Sequence, residues 1–277
     1  MGSKSCLFLS LCPYCNMKKL FAPSRNVILI LVLLGSLLLG YFYLLPWAAE
    51  QVASVIPKSS EKVLGDAVYS SMQESEDSTG SALLTAFFDS MHVATSYEIR
   101  VALADDKTVN AYALPGGQVV VYSGLLKKMK HYTELAALLG HEFIHVEKRH
   151  ATRSICRSLG SQFFIELLLG NMGSMVSVAA GQAEQIRTLS YSRQLEKEAD
   201  LGGLQLLLDR KIDAKGFTDL FAHLKEDESG LVLPEIISSH PDTDARAAYI
   251  KKAAAGQRTV SHPSLKHIFD QLKKSLP

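Results

Sequence analysis

His141-Glu142-Phe143-Ile144-His145 places two imidazoles four residues apart with a carboxylate between them. On a helix, residues i and i+4 share one face about one turn apart, so both rings can present a nitrogen to one Zn²⁺. Glu142 then stands close enough to a water at that ion to take its proton, the arrangement of a metallopeptidase. Catalytic zinc usually takes three protein ligands and keeps one position for water, so a third ligand must come from elsewhere. His150 lies nine residues after His141, one short of the metzincin spacing and without that pattern's glycine. On a continuous helix it would point about 180° away from His141. It reads as a surface residue or as one that sits behind the ligands.

A pair of acids further on fits better. In the run SRQLEKEAD (192–200), Glu196 and Asp200 stand at i and i+4 and can face one point from a second helix. One carboxylate can bind the metal, and the other can accept the free N–H of a ligand imidazole, fixing its tautomer. Glu198 projects about 200° from Glu196 and should face solvent or a salt bridge. An isolated pair of acids on a helix usually marks a solvated face. The H-E-x-x-H run before it and a further histidine downstream make a site the better reading.

These residues need elements to hold them. Thr133 is a plausible N-cap, with Glu134 in the first turn of a helix that carries Leu135, Leu138, Leu139 and the H-E-x-x-H run towards Arg149. Upstream, residues 97–103 alternate as a strand, and 109–114 and 118–122 read as two more, joined by the tight turn Pro115-Gly116-Gly117. Together they predict a small antiparallel sheet. Residues 74–80 read as a polar loop, and Ser81 as the cap of a helix over 82–95 with Leu84, Phe87, Phe88 and Met91 at core spacing. Residues 50–73 have helical periodicity broken at Pro57, 188–210 form a helix with the acids, and 215–276 read as short helices. Residues 154–183 are helical and apolar; a second membrane span is conceivable, but Glu166, Asn171 and four glycines favour a buried or amphipathic helical pair.

With 277 residues, a net charge of +1 and scattered basic residues, the chain offers no nucleic-acid surface. Residues 27–45 are nineteen positions without a charge, about 30 Å of helix and enough to cross a bilayer. Tyr41, Tyr43 and Trp47 stand at one end as interface anchors; Lys18, Lys19 and Arg25 precede the run and Glu50 follows it. That asymmetry predicts a cytoplasmic N-terminal tail (1–26), an uncleaved anchor (27–47) and a peptidase domain (50–277) beyond the membrane. A cleaved signal peptide is the rival, with Ala48-Ala49 a poor cleavage site after too long an apolar run. Cys6, Cys12 and Cys15 fall in the tail and only Cys156 in the body, so the body has no internal disulfide. The tail's C-x-x-C has no histidine nearby and reads as a reduced, unstructured segment.

HEFIHVEKRH (141–150), SRQLEKEAD (192–200), NAYALPGG (110–117) and SSHPDTDAR (238–246) together resemble the gluzincin zinc metallopeptidases that include HtpX, the CAAX prenyl proteases and BepA. The match is closer to single-anchor or soluble periplasmic-type members than to HtpX with its several spans, and the repeat array of BepA is missing. The resemblance implies an α+β, mainly helical zincin-type domain with a small antiparallel sheet after one transmembrane helix. It implies one Zn²⁺ per chain on His141, His145 and Glu196, with Glu142 as general base and Asp200 buttressing a ligand histidine. Asn110 and Ala111 match the edge-strand segment that pairs with substrate backbone. His240 matches a downstream histidine able to donate to the oxyanion, and Arg246 a supporting base near it. The activity implied is a zinc metalloendopeptidase at the inner membrane, acting on misfolded or unassembled envelope proteins. A non-proteolytic, chaperone-like binder of unfolded chains is the alternative. A structural zinc scaffold would want a closed, cysteine-rich site, and CAAX-type processing belongs to members with many spans.

Overall fold

The computed structural model describes residues 24–44, 47–48, 51, 56–158, 165–166, 169–225, 236, 240 and 243–276. The three tail cysteines and parts of 50–55, 159–168 and 226–242 lie outside the described residues. The chain divides into two units, 1–45 and 46–277.

In the first unit, Ser24 accepts the Val27 N–H and caps α1 (Arg25–Leu39), which runs on as a π-turn over Gly40–Leu44. The stretch Arg25–Leu44 is long and apolar enough to cross a membrane, and its large side chains are exposed.

The second unit contains, among the described residues, α2 (Lys58–Met72), β1 (Glu76–Asp77), α3 (Ser78–Ser90), β2 (Arg100–Ala104), β3 (Ala111–Ala113), β4 (Gln118–Tyr122), α4 (Ser123–Lys128), α5 (Tyr132–Glu147) and α6 (His150–Ser158). There follow α7 (Met172–Ala180), α8 (Ala183–Arg187), α9 (Arg193–Asp209), α10 (Lys215–Lys225), α11 (Thr243–Ala253) and α12 (Pro263–Ser275). The four strands lie in the order β1-β2-β4-β3. The β3–β4 hairpin is antiparallel, but β2 runs parallel to β4, with Arg100 opposite Gln118 and Ala104 opposite Tyr122. The sheet is therefore mixed rather than wholly antiparallel. The physical reason is loop length: Pro115–Gly117 is short enough to make neighbours of β3 and β4, whereas the connection 105–110 steps over one strand position. Gly116, at φ 80°, presses on the backbone of α2, where an added Cβ would lie 2.4 Å from Lys62 Cα.

β4 is buried at every position because both sheet faces are covered. Val119 and Val121 face a cluster with Phe87 of α3, Leu138 of α5 and Phe217 of α10; Val120 and Tyr122 face another with Leu64 of α2, Ile155 of α6 and Met175 of α7. Of the stretch 154–183, the described residues include the end of α6 and α7, which buries Met175 and Ala179 in the same cluster as Leu64 of α2.

Two caps fall elsewhere than the sequence suggests. Asp77 rather than Ser81 caps α3, accepting the Thr79 and Gly80 N–H groups, while Ser81 Oγ accepts from Leu103 N and ties α3 to β2. α5 begins before Thr133 because the buried Glu134 carboxylate reaches back to the Lys130 and His131 N–H groups at 3.0 and 2.9 Å. α9 has Ser192 as its cap. α5 and α9 cross where Gly140 meets Gly203, a Cβ on the latter lying 3.0 Å from Gly140 C and His141 N. That close approach sets the histidines of one helix against the acids of the other.

Candidate metal centre and catalytic site

α5 presents His141 and His145 on one face with their Nε2 atoms 3.0 Å apart. From α9, Glu196 Oε1 lies 3.5 Å from His145 Nε2, and Glu196 Oε2 lies 3.7 Å from His141 Nε2. His240 Nδ1 comes within 2.9 Å of Glu196 Oε1 and 3.3 Å of His141 Nε2. The donor atoms of these four buried residues all lie within 4.8 Å of one another, a spacing that can hold a metal ion. Four such donors would close a tetrahedral ion, and three would leave a position for water.

The surrounding groups show that a cation fits. Asp200 Oδ1 stands 2.9 Å from His141 Nδ1, which puts that ring's proton on Nδ1 and its lone pair on Nε2. His145 Nδ1 lies 3.1 Å from His150 Nδ1, and with the proton on His145 Nδ1 its Nε2 lone pair is likewise turned inwards. Two lone pairs and a carboxylate aimed at one buried point repel unless a positive charge lies between them. The set of two imidazoles and a carboxylate is one that zinc takes in catalytic sites.

Arg246 of α11 binds Asp200 with Nε and Nη2, both at 2.8 Å, reaches Glu196 Oε2 at 2.8 Å, and donates from Nη1 to the His240 carbonyl at 3.1 Å. Tyr249 also donates to Asp200. Burial opposes ionisation of Asp200, but Arg246 and His141 outweigh it and hold the carboxyl well below its usual range. The same contest at Glu196 is won by His240, His141 and Arg246, and its pKa is lowered. For His240 burial opposes the charged ring, but Glu196 and Glu142 outweigh that and raise its pKa.

Glu142 is different. Burial raises its pKa, and neither of its oxygens has a hydrogen-bond partner among the described residues. The nearest charged neighbour is His240 Nε2, 3.7 Å from Oε1. A carboxylate left unpaired beside a cluster of donor atoms is placed for proton transfer rather than for structure. Beside it opens a narrow recess of about 30 Å³, walled by Leu138, Phe217, Leu220, Phe221 and Ile236.

Arg149, at φ 56°, ends α5 and starts α6, so His150 is turned inwards and fully buried behind His145. The surface alternative for His150 is therefore overturned: the helix breaks, and the angle that a continuous helix would give does not apply. Burial pushes its pKa down to about 4 and keeps it neutral. Tyr191, which no spacing pattern singles out, packs its ring on His145 with centroids 4.1 Å apart. A signal was present for the helix crossing, in glycines set inside the helical pattern at 140 and 203.

Asn110 is buried, its carbonyl accepts from Tyr122 N, and its side-chain amide has no partner among the described residues. Ala111 opens β3, the edge strand beside α5. Just before it, the Val109 carbonyl accepts from Ile236 N at 3.2 Å.

A family model described as peptidase family M48 matches residues 77–254, the span that contains every element of this site. The chain belongs to peptidase family M48. A mitochondrial metalloendopeptidase OMA1 of Arabidopsis thaliana is 31% identical over 166 residues, covering 58% of this chain and 34% of the relative. Beta-barrel assembly-enhancing proteases of Yersinia pestis and Escherichia coli are 28% and 27% identical, covering 76% and 77% of this chain. The M48 chain spans only a third to a half of the length of these relatives.

Proposed function

We propose that this M48 chain is a membrane-anchored zinc metalloendopeptidase with His141, His145 and Glu196 as resident ligands. The observation that carries the reading is the convergence of two imidazole Nε2 atoms and the Glu196 carboxylate beside an unpartnered Glu142. Zinc, when bound there, supplies a Lewis acid and lowers the pKa of a water towards neutrality. Glu142, whose basicity burial raises, takes the proton from the attacking water and returns it to the leaving amine. His240 yields its place among the donors and holds a hydrogen bond to the carbonyl oxygen, with Arg246 fixing its backbone. The outer edge of β3 beside Asn110 pairs with the extended substrate through Ala111, since the Asn110 carbonyl is taken by Tyr122 N.

The organisation we infer is a tail at 1–26, an anchor at 27–47 in the inner membrane and a peptidase domain at 50–277 on its far side. Relatives named as beta-barrel assembly-enhancing proteases and the anchor support misfolded or unassembled envelope proteins as substrates. The test is Glu142→Gln in the full chain: zinc stoichiometry should stay at one, and cleavage of an unfolded protein such as casein should fall roughly 10²–10⁴-fold. Wild-type cleavage by that variant would overturn the mechanism. Full zinc loading with no cleavage by the unmutated chain would favour a chaperone-like binder.

A further inference from the structure

The two histidines of α5 are held from behind in different ways. His141 Nδ1 faces a carboxylate, Asp200, itself clamped by Arg246. His145 Nδ1 faces another imidazole, the Nδ1 of His150, at 3.1 Å. His145 is fully buried, so water cannot serve in place of His150. Nor can Tyr191, whose ring lies over the face of His145, tilted by 31°, and not at its edge.

We propose that His150 is the positioning residue that fixes the tautomer and plane of His145 for metal binding. The inference rests on the reading of His145 as a metal ligand. With Nε2 of His145 turned towards the donor cluster, its Nδ1 carries the proton and needs an acceptor. His150 Nδ1 is that acceptor, which leaves the His150 proton on Nε2, 3.5 Å from Glu198 Oε2. Glu198 is in turn 3.4 Å from Lys148 Nζ, so the chain of groups ends at the half-exposed surface of α9. The protonation states are consistent along the whole run without a net charge on either ring.

The aim of His150 is built into the break after α5. Arg149 adopts a left-handed conformation that costs a non-glycine residue about 1 kcal/mol or more. It is held there by Nη1 donating to the Ile56 carbonyl at 2.6 Å and Nε donating to Tyr97 Oη at 3.1 Å. Behind it, the buried Glu61 accepts from Tyr97 Oη and Thr152 Oγ1 and lies 3.4 Å from Arg149 Nε. This arrangement joins the start of α2, the residues before β2 and α6 at the one point that turns His150 towards His145. A histidine on an uninterrupted helix would face away.

Asn and Leu at position 150 separate the hydrogen bond from the volume it fills. Asn carries an acceptor oxygen where His150 has Nδ1, whereas Leu fills similar space with none. Zinc affinity of the full chain in detergent, measured by competition with a chromophoric chelator, should weaken roughly 10–100-fold in His150→Leu and by less than about threefold in His150→Asn. The thermal melts of the zinc-free forms should agree with each other. Zinc binding by His150→Leu as tight as the unmutated chain's, while His145→Ala loses it, would overturn the proposal. So would equal weakening in both His150 variants, or a zinc-free His150→Leu that melts as early as its affinity loss demands. Failure of the underlying reading looks different: the unmutated chain then binds zinc no better than His145→Ala, and the proposal falls with it.

Discussion

At the scale of single residues, the site depends on charges that are buried yet answered. Asp200 and Glu196 are both inaccessible, and Arg246 spans them with contacts of 2.8 Å to each. Replacing Arg246 with Met would keep much of the side-chain bulk against Phe221, whose ring centre lies 5.0 Å from the guanidinium carbon. It would also leave two carboxylates facing each other without the cation. The expected loss is about 3–5 kcal/mol of stability in urea denaturation of the zinc-free chain, with partial recovery on adding zinc. A loss no larger than that of an exposed Arg, such as Arg100→Met, would show that the carboxylates do not need it. The members of this cluster differ in how they could be read from sequence. His141 with His145, and Glu196 with Asp200, stand at i and i+4 offsets that geometry turns into one face, and Glu142 comes with the H-E-x-x-H run, so their placement was legible. His150 was not, because its direction depends on a left-handed Arg149 that no glycine announces. Tyr191 was not either, since a ring that packs across from another segment obeys no local spacing.

At the scale of elements, the distance between α5 and α9 decides whether ligands from two helices can share one ion. Gly203 lets the backbones approach, since its Cβ would lie 3.0 Å from His141 N and 3.1 Å from the Phe217 ring. Gly203→Val should push the helices apart, cost about 1–3 kcal/mol by overpacking, and weaken zinc binding as Glu196 withdraws from the histidines. Gly173→Ala in α7 is the control, because its nearest neighbour is 3.9 Å away and alanine is the better helix former. Chemical denaturation and chelator competition on both variants test the point. Equal stability and zinc affinity in the two would refute it. Elements themselves were legible where one force dominates: the 3.6-residue period gives α5 and α9, and the β-branched run 118–122 gives β4. Caps and pairings were less so. Asp77 and Ser81 are both competent caps, and only the tertiary bond from Leu103 N to Ser81 shows which is engaged elsewhere. The parallel pairing of β2 with β4 likewise depends on the connection 105–110 stepping over one strand position, which no local pattern separates from a meander.

At the scale of the whole molecule, the apolar helix and the peptidase family were the most legible features, because each rests on a long stretch of sequence. An apolar helix with exposed Leu29, Leu33, Leu37 and Phe42 leaves a large apolar area to be covered, and the proposed anchor covers it with a bilayer. In the proposed orientation, Lys18, Lys19 and Arg25 on the N-terminal flank keep that end in the cytoplasm. With that orientation, the proposed site would act on chains that have already crossed the membrane. The prediction is made for membrane vesicles of known sidedness carrying the full chain. Added protease should digest the unit 46–277 in right-side-out vesicles and spare it in inside-out ones until detergent is added. Alkaline carbonate should leave the intact chain in the pellet. The reverse protection pattern would place the site in the cytoplasm and remove envelope proteins as its substrates, while leaving the chemistry of His141, Glu142, His145 and Glu196 untouched. Release by carbonate would mean that the apolar helix is covered by protein and not by lipid.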